Sequence, residues 1–428
     1  MIHTDMYNRK YPKSRQINIA APITRPYIGR MTESYWHIKN KILIGKRSPC
    51  ELPRQVDVAI IGGGIVGIAV AHYLREMGCG NSVVLEKKYI GYGASGRNAG
   101  FLLSGMAEPY SRLVVGLGTK GARMLTAATI ENHHLMAEAV AKMKIGCDYR
   151  RSGSYHLAIS RVEADELKES VELLCADGFD GEYIESDKVA ERLGFGNYDG
   201  AFFNPIDGNL DPFAFVNGLA GDINVIEGFE VRGIGKRNGG VEIKGGGHSV
   251  SAEIAVLATN AYSPLVDSYF RELIFPVRGQ MLATTPAQGN RLRDKTYYAN
   301  FGYDYFRQTG DSTILIGGLR NLFVDTEVGF EDATNPQVQK ELEDYIRRNI
   351  DVAEFSVAAR WSGVMGNTID GLPLVGPLPH NSAVIAAVGY NGHGFSMGMV
   401  VARDVASAIM NGETSDLLRR FSLKRFAA

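Results

Sequence analysis

The residues best suited to chemistry lie in two glycine-rich stretches separated by a predicted strand. The first, IGGGIVG, sets Gly62, Gly64 and Gly67 at GxGxxG spacing between an apolar run and a helical pattern, and Glu86 ends the next apolar run. Bare glycines allow a tight turn, close approach of a pyrophosphate to the first helical residues, Ile65 and Val66, and close helix–strand packing. An acid some twenty residues on accepts hydrogen bonds from ribose hydroxyls. The set predicts dinucleotide binding, and Glu86, followed by Lys87, argues against a 2′-phosphate on the ribose. The second stretch, GYGASGRNAG at residues 91–100, brings Gly93, Ala94, Ser95, Arg97, Asn98, Ala99 and Gly100 together. A donor-rich loop directly after the ribose-binding acid is placed to wrap a diphosphate, a ribityl chain and the edge of a flavin, where a nicotinamide-binding chain normally proceeds to its next helix. Its glycines are expected to keep the backbone bare for that ligand.

These residues need a βαβ frame, and the flanking pattern predicts one. VDVAII at 56–61 is β-branched and too apolar for a solvated face, so it reads as a buried parallel strand. A helix is expected from Gly64 to about Met77, and SVVLE at 82–86 is the second strand. Farther on, a helix is expected at about 120–143, an alternating strand at GSYHLAIS, and helices near 163–174 and 187–193. Asp211 and Pro212 read as the cap and first position of another helix. Glycine-rich hairpins near 239 and 245–247 lead to the strand AEIAVLAT, and antiparallel sheet is expected between 277 and 318. Asn335 and Pro336 open a helix, and AVIAAVG, the loop YNGHG and a helix from about Phe395 to Met410 close the chain. The fold class is therefore α/β: a discontinuous dinucleotide-binding domain at 54–148, 208–274 and 358–428, interleaved with a mainly antiparallel α+β substrate domain at 149–207 and 275–357. Residues 1–53 form an extension.

At 428 residues with a formal net charge of −1, the chain shows no basic clustering, which argues against nucleic acid and for a small-molecule partner. Cys50, Cys79, Cys147 and Cys175 are scattered, with no CxxC pair, so neither a metal site nor a disulfide framework is expected and a reducing, cytoplasmic setting is. The apolar stretch 58–74 is broken by glycines and short for a bilayer span, so no transmembrane segment is expected. The N-terminal region lacks a secretory signal; an organellar presequence stays open. His133 and His134 are adjacent on a helix, point in different directions and are expected at the surface.

The ordered motifs GASGRNAG, LDPFAFVNGL, EVRGI, VLATNAYSP, PVRGQM, Asp370-Gly371-Leu372-Pro373 and GYNGHGFSMG give the chain, from about Ser34 onward, its family likeness. It resembles the FAD-dependent amine and amino-acid oxidoreductases of the D-amino-acid oxidase superfamily, and GASGRNAG is most similar to the γ-glutamylputrescine oxidase branch. The resemblance implies a Rossmann-type, glutathione-reductase-like FAD domain, an amine or amino-acid substrate, and oxygen or another electron acceptor. It also implies Val231 beside the adenine, Thr259 near the diphosphate, and Asn391, Gly392, His393, Gly394, Phe395 and Ser396 at the pyrimidine edge of the flavin. Amides of Gly394 and Phe395 at a helix start would stabilise negative charge there; His393 is either a further donor or a solvent-facing loop residue. Sarcosine-oxidising relatives carry a lysine where this chain has Ser396, which makes sarcosine less expected. Relatives that bind FAD covalently use a histidine in the glycine-rich loop or a late cysteine; this chain has neither, so FAD is expected to be non-covalent.

For substrate, the resemblance points to Arg307 as a carboxylate binder, with Tyr303 and Tyr305 on its side of the strand. The other reading pairs Arg307 with Asp304 or Asp311. Arg97 is read as a cofactor or structural residue, and Trp361 as a core aromatic or a substrate wall. Two rival functions stay open: an aromatic hydroxylase, whose glycine-aspartate-alanine stretch is missing near the C-terminus, and a flavin-holding subunit without its own substrate site.

Overall fold

A computed structural model describes residues 32–45, 51–287, 292–350, 352 and 354–426; Cys50 and most of the N-terminal extension lie outside them. The expected βαβ unit is present as β1 (Gln55–Ile61), the helix Ile65–Glu76 and β2 (Ser82–Leu85). Both faces of β1 are covered, with Ile60 and Ala59 fully buried, which is why its sequence lacks polar alternation. A two-residue strand, β3 (Phe101–Leu102), then precedes the long helix Tyr110–Met143. That helix starts ten residues earlier than the sequence pattern suggests, because a break at Gly118 (φ 72°, ψ 160°) joins two helical runs of different phase.

The chain then crosses to a second sheet through β4 (Ser154–Ala158), the helix Arg161–Ala176, β5 (Glu182–Glu185), the helix Ser186–Leu193 and β6 (Gly200–Asn204). It returns by β7 (Gly208–Asn209) to the helix Pro212–Ala220, whose start Asp211 caps by accepting from the Ala214 amide at 3.0 Å. The strands β8 (Val225–Ile226), β9 (Val231–Arg237), β10 (Gly240–Gly245) and β11 (His248–Leu257) follow. A second crossing supplies β12 (Ile274–Pro286), β13 (Thr296–Ala299), β14 (Asp304–Gln308), β15 (Thr313–Gly318), the Asn335-capped helix Pro336–Asn349 and β16 (Val357–Thr368). The chain closes with β17 (Leu374–Leu378), β18 (Asn381–Val388) and the helix Gly394–Asn411.

The first sheet runs β17-β18-β11-β1-β2-β8, parallel from β18 to β8, with β10 and β9 attached as an antiparallel extension of β11. The second runs β16-β12-β15-β14-β13-β4-β6-β5 and is antiparallel except where β13 meets β4. Its edge strand β16 pairs with β12 from Ile274↔Thr368 to Thr284↔Val357. Residues 358–368, grouped by the sequence with the dinucleotide-binding part, therefore belong to the second sheet. The chain changes sheets at the turn 369–373, about ten residues after the expected boundary. No helix among the described residues is long and apolar enough to cross a membrane.

Candidate active site

A cleft of about 880 Å³ separates the two sheets. Every candidate cofactor or substrate residue read from the sequence lines it except Gly67, Gly100, Arg307 and Trp361. Gly67 stands one layer behind, where an added Cβ would fall 1.9 Å from the Gly62 carbonyl, so it is the contact that lets the helix approach the strand. Gly62 adopts φ +112° against the Ala258 carbonyl, a conformation and a space that exclude a side chain. The Glu86 carboxylate accepts the Gly63 amide at 2.7 Å and the Lys88 amide at 2.8 Å. Enclosure raises its pKa, and those two amides pull it back down. Lys87 pairs with Glu230 at 2.7 Å on the cleft wall beside Val231.

In the loop 91–100 most of the carbonyls are taken by protein donors. His37 Nε2 lies 3.2 Å from Gly91 O, Arg97 Nε donates to Tyr92 O at 2.8 Å, and Asn98 Nδ2 donates to Ala94 O and Ser95 O. Ser34, Trp361, Trp36 and Arg307 hold the carbonyls of Gly96, Arg97, Asn98 and Gly100 respectively, at 2.7 to 3.0 Å. Carbonyl oxygens turned away leave the cleft side of the loop free of their negative dipole ends, which favours an anionic ligand there. The expectation that all its glycines face a ligand needs correcting. An added Cβ at Gly96 would meet the Gly91 carbonyl at 2.1 Å and His37 at 2.7 Å, and one at Gly100 would meet the Leu210 carbonyl at 2.2 Å. Those glycines admit the protein's own backbone; Gly93, with nothing within 4 Å of an added Cβ, is the one that faces open space on the cleft wall. Arg97 is buried, pairs with Asp332 at 3.0 Å and donates to Ser362 O, so it ties the loop to the second sheet.

The opposite wall comes from strand register. Phe202, His156, Tyr298, Tyr305, Gly317, Met281 and Trp361 are successive cross-strand partners from β6 to β16. The first four rings stack or tilt against one another along the row, with centroids 5.2, 5.7 and 5.8 Å apart, and line the cleft. Gly317 makes room for the Tyr305 ring, since a Cβ there would lie 2.5 Å from Tyr305 Cε2 and 2.2 Å from Met281 Sδ. Trp361 ends the row fully buried, in the core role that was one of its two readings.

Arg307 is the main correction. Its side chain shares a strand face with Tyr305 but is buried beneath Gly100 and Leu210, donating to both carbonyls at 3.0 and 3.2 Å and lying 5.4 Å from the Trp36 ring. It lines no part of the cleft, and it donates to those carbonyls rather than to Asp304 or Asp311. Burial pushes its guanidinium down to about 10, with Asp211 opposing the shift. Besides Arg97, which is tied to Asp332, the cleft wall carries Arg320, whose guanidinium lies over Tyr303 at 5.1 Å. It follows β15 through Leu319, a residue at φ +57° that turns the chain toward the cleft. A cation just after the glycine pair of ILIGGLR was the available signal. His156, the one histidine in the strand GSYHLAIS, was another: its Nε2 is buried without a partner, and burial pushes its pKa down to about 4.

The far end of the cleft is closed by the YNGHG loop. Asn391, at φ +51°, accepts from the Thr368 amide at 2.8 Å and holds the turn that delivers His393, Gly394 and Phe395. From the long helix, Asn132 donates to Phe395 O at 2.8 Å and accepts from the Met399 amide at 2.8 Å, fixing the first turn of the helix Gly394–Asn411. His133, beside it, is 1% exposed, which corrects the expected surface position; only His134 faces outward. The Gly394–Asn411 helix packs on the Asn132 side of the long helix and Leu103 faces His133, so the apparent surface pattern hides a wider buried stripe.

Burial pushes the His133 pKa from its ordinary 6.5 down to about 4. A depressed folded-state value means that its stabilising contribution is complete above pH 6.5 and is lost as the pH falls through 4. Exchanging His133 for leucine is therefore expected to flatten the acid loss of stability by about 2–3 kcal/mol between pH 7.5 and 4.5. Urea midpoints of both proteins at the two pH values measure this; an unchanged difference would mean that His133 titrates normally.

Comparison with known proteins agrees with this architecture. The family model described as DAO, FAD dependent oxidoreductase, matches residues 57–408. The chain is 26% identical over 385 residues to a probable oxidoreductase OrdL of Haemophilus influenzae, covering 83% of each protein. It is 26% identical over 365 residues to the γ-glutamylputrescine oxidoreductase of Escherichia coli, covering 82% of this chain and 83% of the relative. The crystal structure of glycine oxidase from Geobacillus kaustophilus superposes with a TM-score of 0.75 at 23% identity, covering 87% of this chain and 99% of that one, which establishes the shared fold.

Proposed function

The chain belongs to the family of FAD-dependent oxidoreductases, and from that premise we propose that it oxidises the C–N bond of an amine or amino acid to an imine, which water hydrolyses to a carbonyl compound. The residues fit FAD: Glu86 is positioned for a ribose, Gly62 and Gly64 for a diphosphate, and the loop with its carbonyls turned away leaves Gly93 open on the cleft side. Val231, Thr259 and the turn from Asn391 to Ser396 line the same cleft and would hold the remaining parts. FAD, when bound, would supply the acceptor for the hydride, with its two electrons, that leaves the carbon next to nitrogen.

The observation that carries the substrate reading is the ring wall with one arginine at its edge. An alkylamine with a reference pKa near 10.4 must lose a proton before oxidation, at a cost of about 4–5 kcal/mol at pH 7. Phe202, Tyr298 and Tyr305 disfavour the ammonium form by excluding water. Cation–π attraction of about 0.5–2 kcal/mol works in the other direction and is smaller than the several kcal/mol of lost hydration. His156, held neutral, adds no repelling charge and presents Nε2 as a hydrogen-bond partner for the amine. Arg320 supplies the pairing site for a carboxylate on the same substrate, in the geometry that suits a guanidinium. The relative named for γ-glutamylputrescine supports an amine that also bears a carboxylate.

Substrate consumption with an amine panel, scored by trapping the carbonyl product, tests the assignment. The value of kcat/KM is expected to rise about tenfold per pH unit from neutrality toward the pKa of the amine, without a step near 6.5. A profile flat across that range contradicts oxidation of the neutral amine. Oxygen or another acceptor completes the cycle. In the second reading, a flavin-holding subunit, no amine is consumed unless a partner protein is added.

A further inference from the structure

We propose that Thr32–Asn40, a segment preceding the matched family region, is a retaining strap that holds the 91–100 loop in its binding conformation and sets how slowly FAD leaves. The inference rests on FAD as the cofactor and goes beyond it by assigning a role to residues outside residues 57–408. Ser34 Oγ donates to Gly96 O at 2.7 Å and Trp36 Nε1 donates to Asn98 O at 2.7 Å. His37 Nε2 lies 3.2 Å from Gly91 O, and Thr32 Oγ1 accepts from Arg97 Nη1 at 3.0 Å. One short helix, Tyr35–Lys39, together with its cap Ser34 thus reaches three carbonyls of the loop, while Thr32 meets its arginine.

The strap is itself anchored. Tyr35 OH donates to Asp311 at 2.7 Å in the second sheet, and Asn40 Nδ2 donates to Asp211 at 2.7 Å at the start of the helix Pro212–Ala220. The side chains of Ser34, Trp36 and His37 are almost completely buried by these contacts, which is more than a tail lying on a surface achieves. Both tryptophans of the chain, Trp36 and Trp361, donate to consecutive carbonyls of the loop. Without the strap the loop would sample conformations with its carbonyls turned toward the cleft, and apparent affinity falls by the fraction of time spent in them. The strap acts by positioning the loop, not by touching FAD.

The full-length protein with Trp36→Phe, which removes the indole donor but keeps a ring, and with Ser34→Ala, which removes one hydroxyl, tests this. FAD dissociation is followed by the recovery of flavin fluorescence on dilution, and affinity by titrating apoprotein while reading the remaining tryptophan. Each variant is expected to raise the dissociation constant about three- to tenfold, mainly through faster release, and the double variant about tenfold or more. Melting of the apoprotein is expected to fall through the lost bonds, and that of the holoprotein to fall further. Should Trp36→Phe fail to fold, Ser34→Ala carries the same readouts. Release rates within twofold of wild type, or equal losses of apo and holo stability, would overturn the strap. Wild-type apoprotein that does not take up FAD would overturn the cofactor reading instead, and the strap with it.

Discussion

Replacing Arg320 with methionine is expected to lower kcat/KM about 100-fold for carboxylate-bearing substrates and to change neutral amines by less than about threefold, because a charge-assisted hydrogen bond contributes about 1.5–3 kcal/mol. The same change at Arg307 is expected to act elsewhere. It strips the Gly100 and Leu210 carbonyls of their shared donor, and each buried acceptor left unsatisfied costs about 1–3 kcal/mol of stability. Arg307→Met should therefore lower the melting temperature and weaken FAD retention without discriminating acidic from neutral substrates. Kinetics on a matched acidic and neutral amine, with thermal melts, separate the two arginines. Selective loss of the acidic substrate in the Arg307 variant, with none in the Arg320 variant, would return the carboxylate site to β14.

Gly317→Val is expected to reduce kcat/KM about 100-fold with FAD still bound, since displacing a positioned wall by about 1 Å has that order of effect. The valine side chain would enter space held by the Tyr305 ring and Met281 Sδ, 2.5 and 2.2 Å from the position of its Cβ. The ring must swing toward the cleft, where it would occupy the substrate's place. Overpacking of this kind costs about 1–3 kcal/mol of stability, so the fold should survive. A variant with normal kinetics would show that the register row from Phe202 to Met281 is not the substrate wall.

The parts of this molecule legible in the sequence are those set by local pattern. Unbroken β-branched runs announce β1 and β2, GxGxxG announces the turn between β1 and its helix, and Asp211-Pro212 announces a cap. Glu86 and the donor-rich loop also stand where their order in the chain places them. What stayed hidden depends on contacts between residues far apart in sequence. Period-two alternation correctly put Arg307 on the face of Tyr305, yet it cannot tell that Leu210, Gly100 and Trp36 cover one end of that face. Trp36 and Ser34 meet the loop 62 residues away, and no local signal in their own helix indicates it. The bareness of Gly96 and Gly100 was visible, but its cause was not: those glycines admit protein backbone and His37, where a ligand was the expectation. His133 looked solvent-facing because what buries it, with Leu103 among the groups facing it, comes from outside its own helix.

The most direct test of the central claim is anaerobic mixing of the purified, FAD-loaded protein with a panel of amines and amino acids, watching the visible flavin band. Bleaching by an amine, with no partner protein present and with Arg320→Met slowing it selectively for carboxylate-bearing amines, is the expected result. A flavin that no member of the panel bleaches, but that a partner protein or a non-amine donor reduces, would contradict the assignment of this cleft as a self-contained amine-oxidising site.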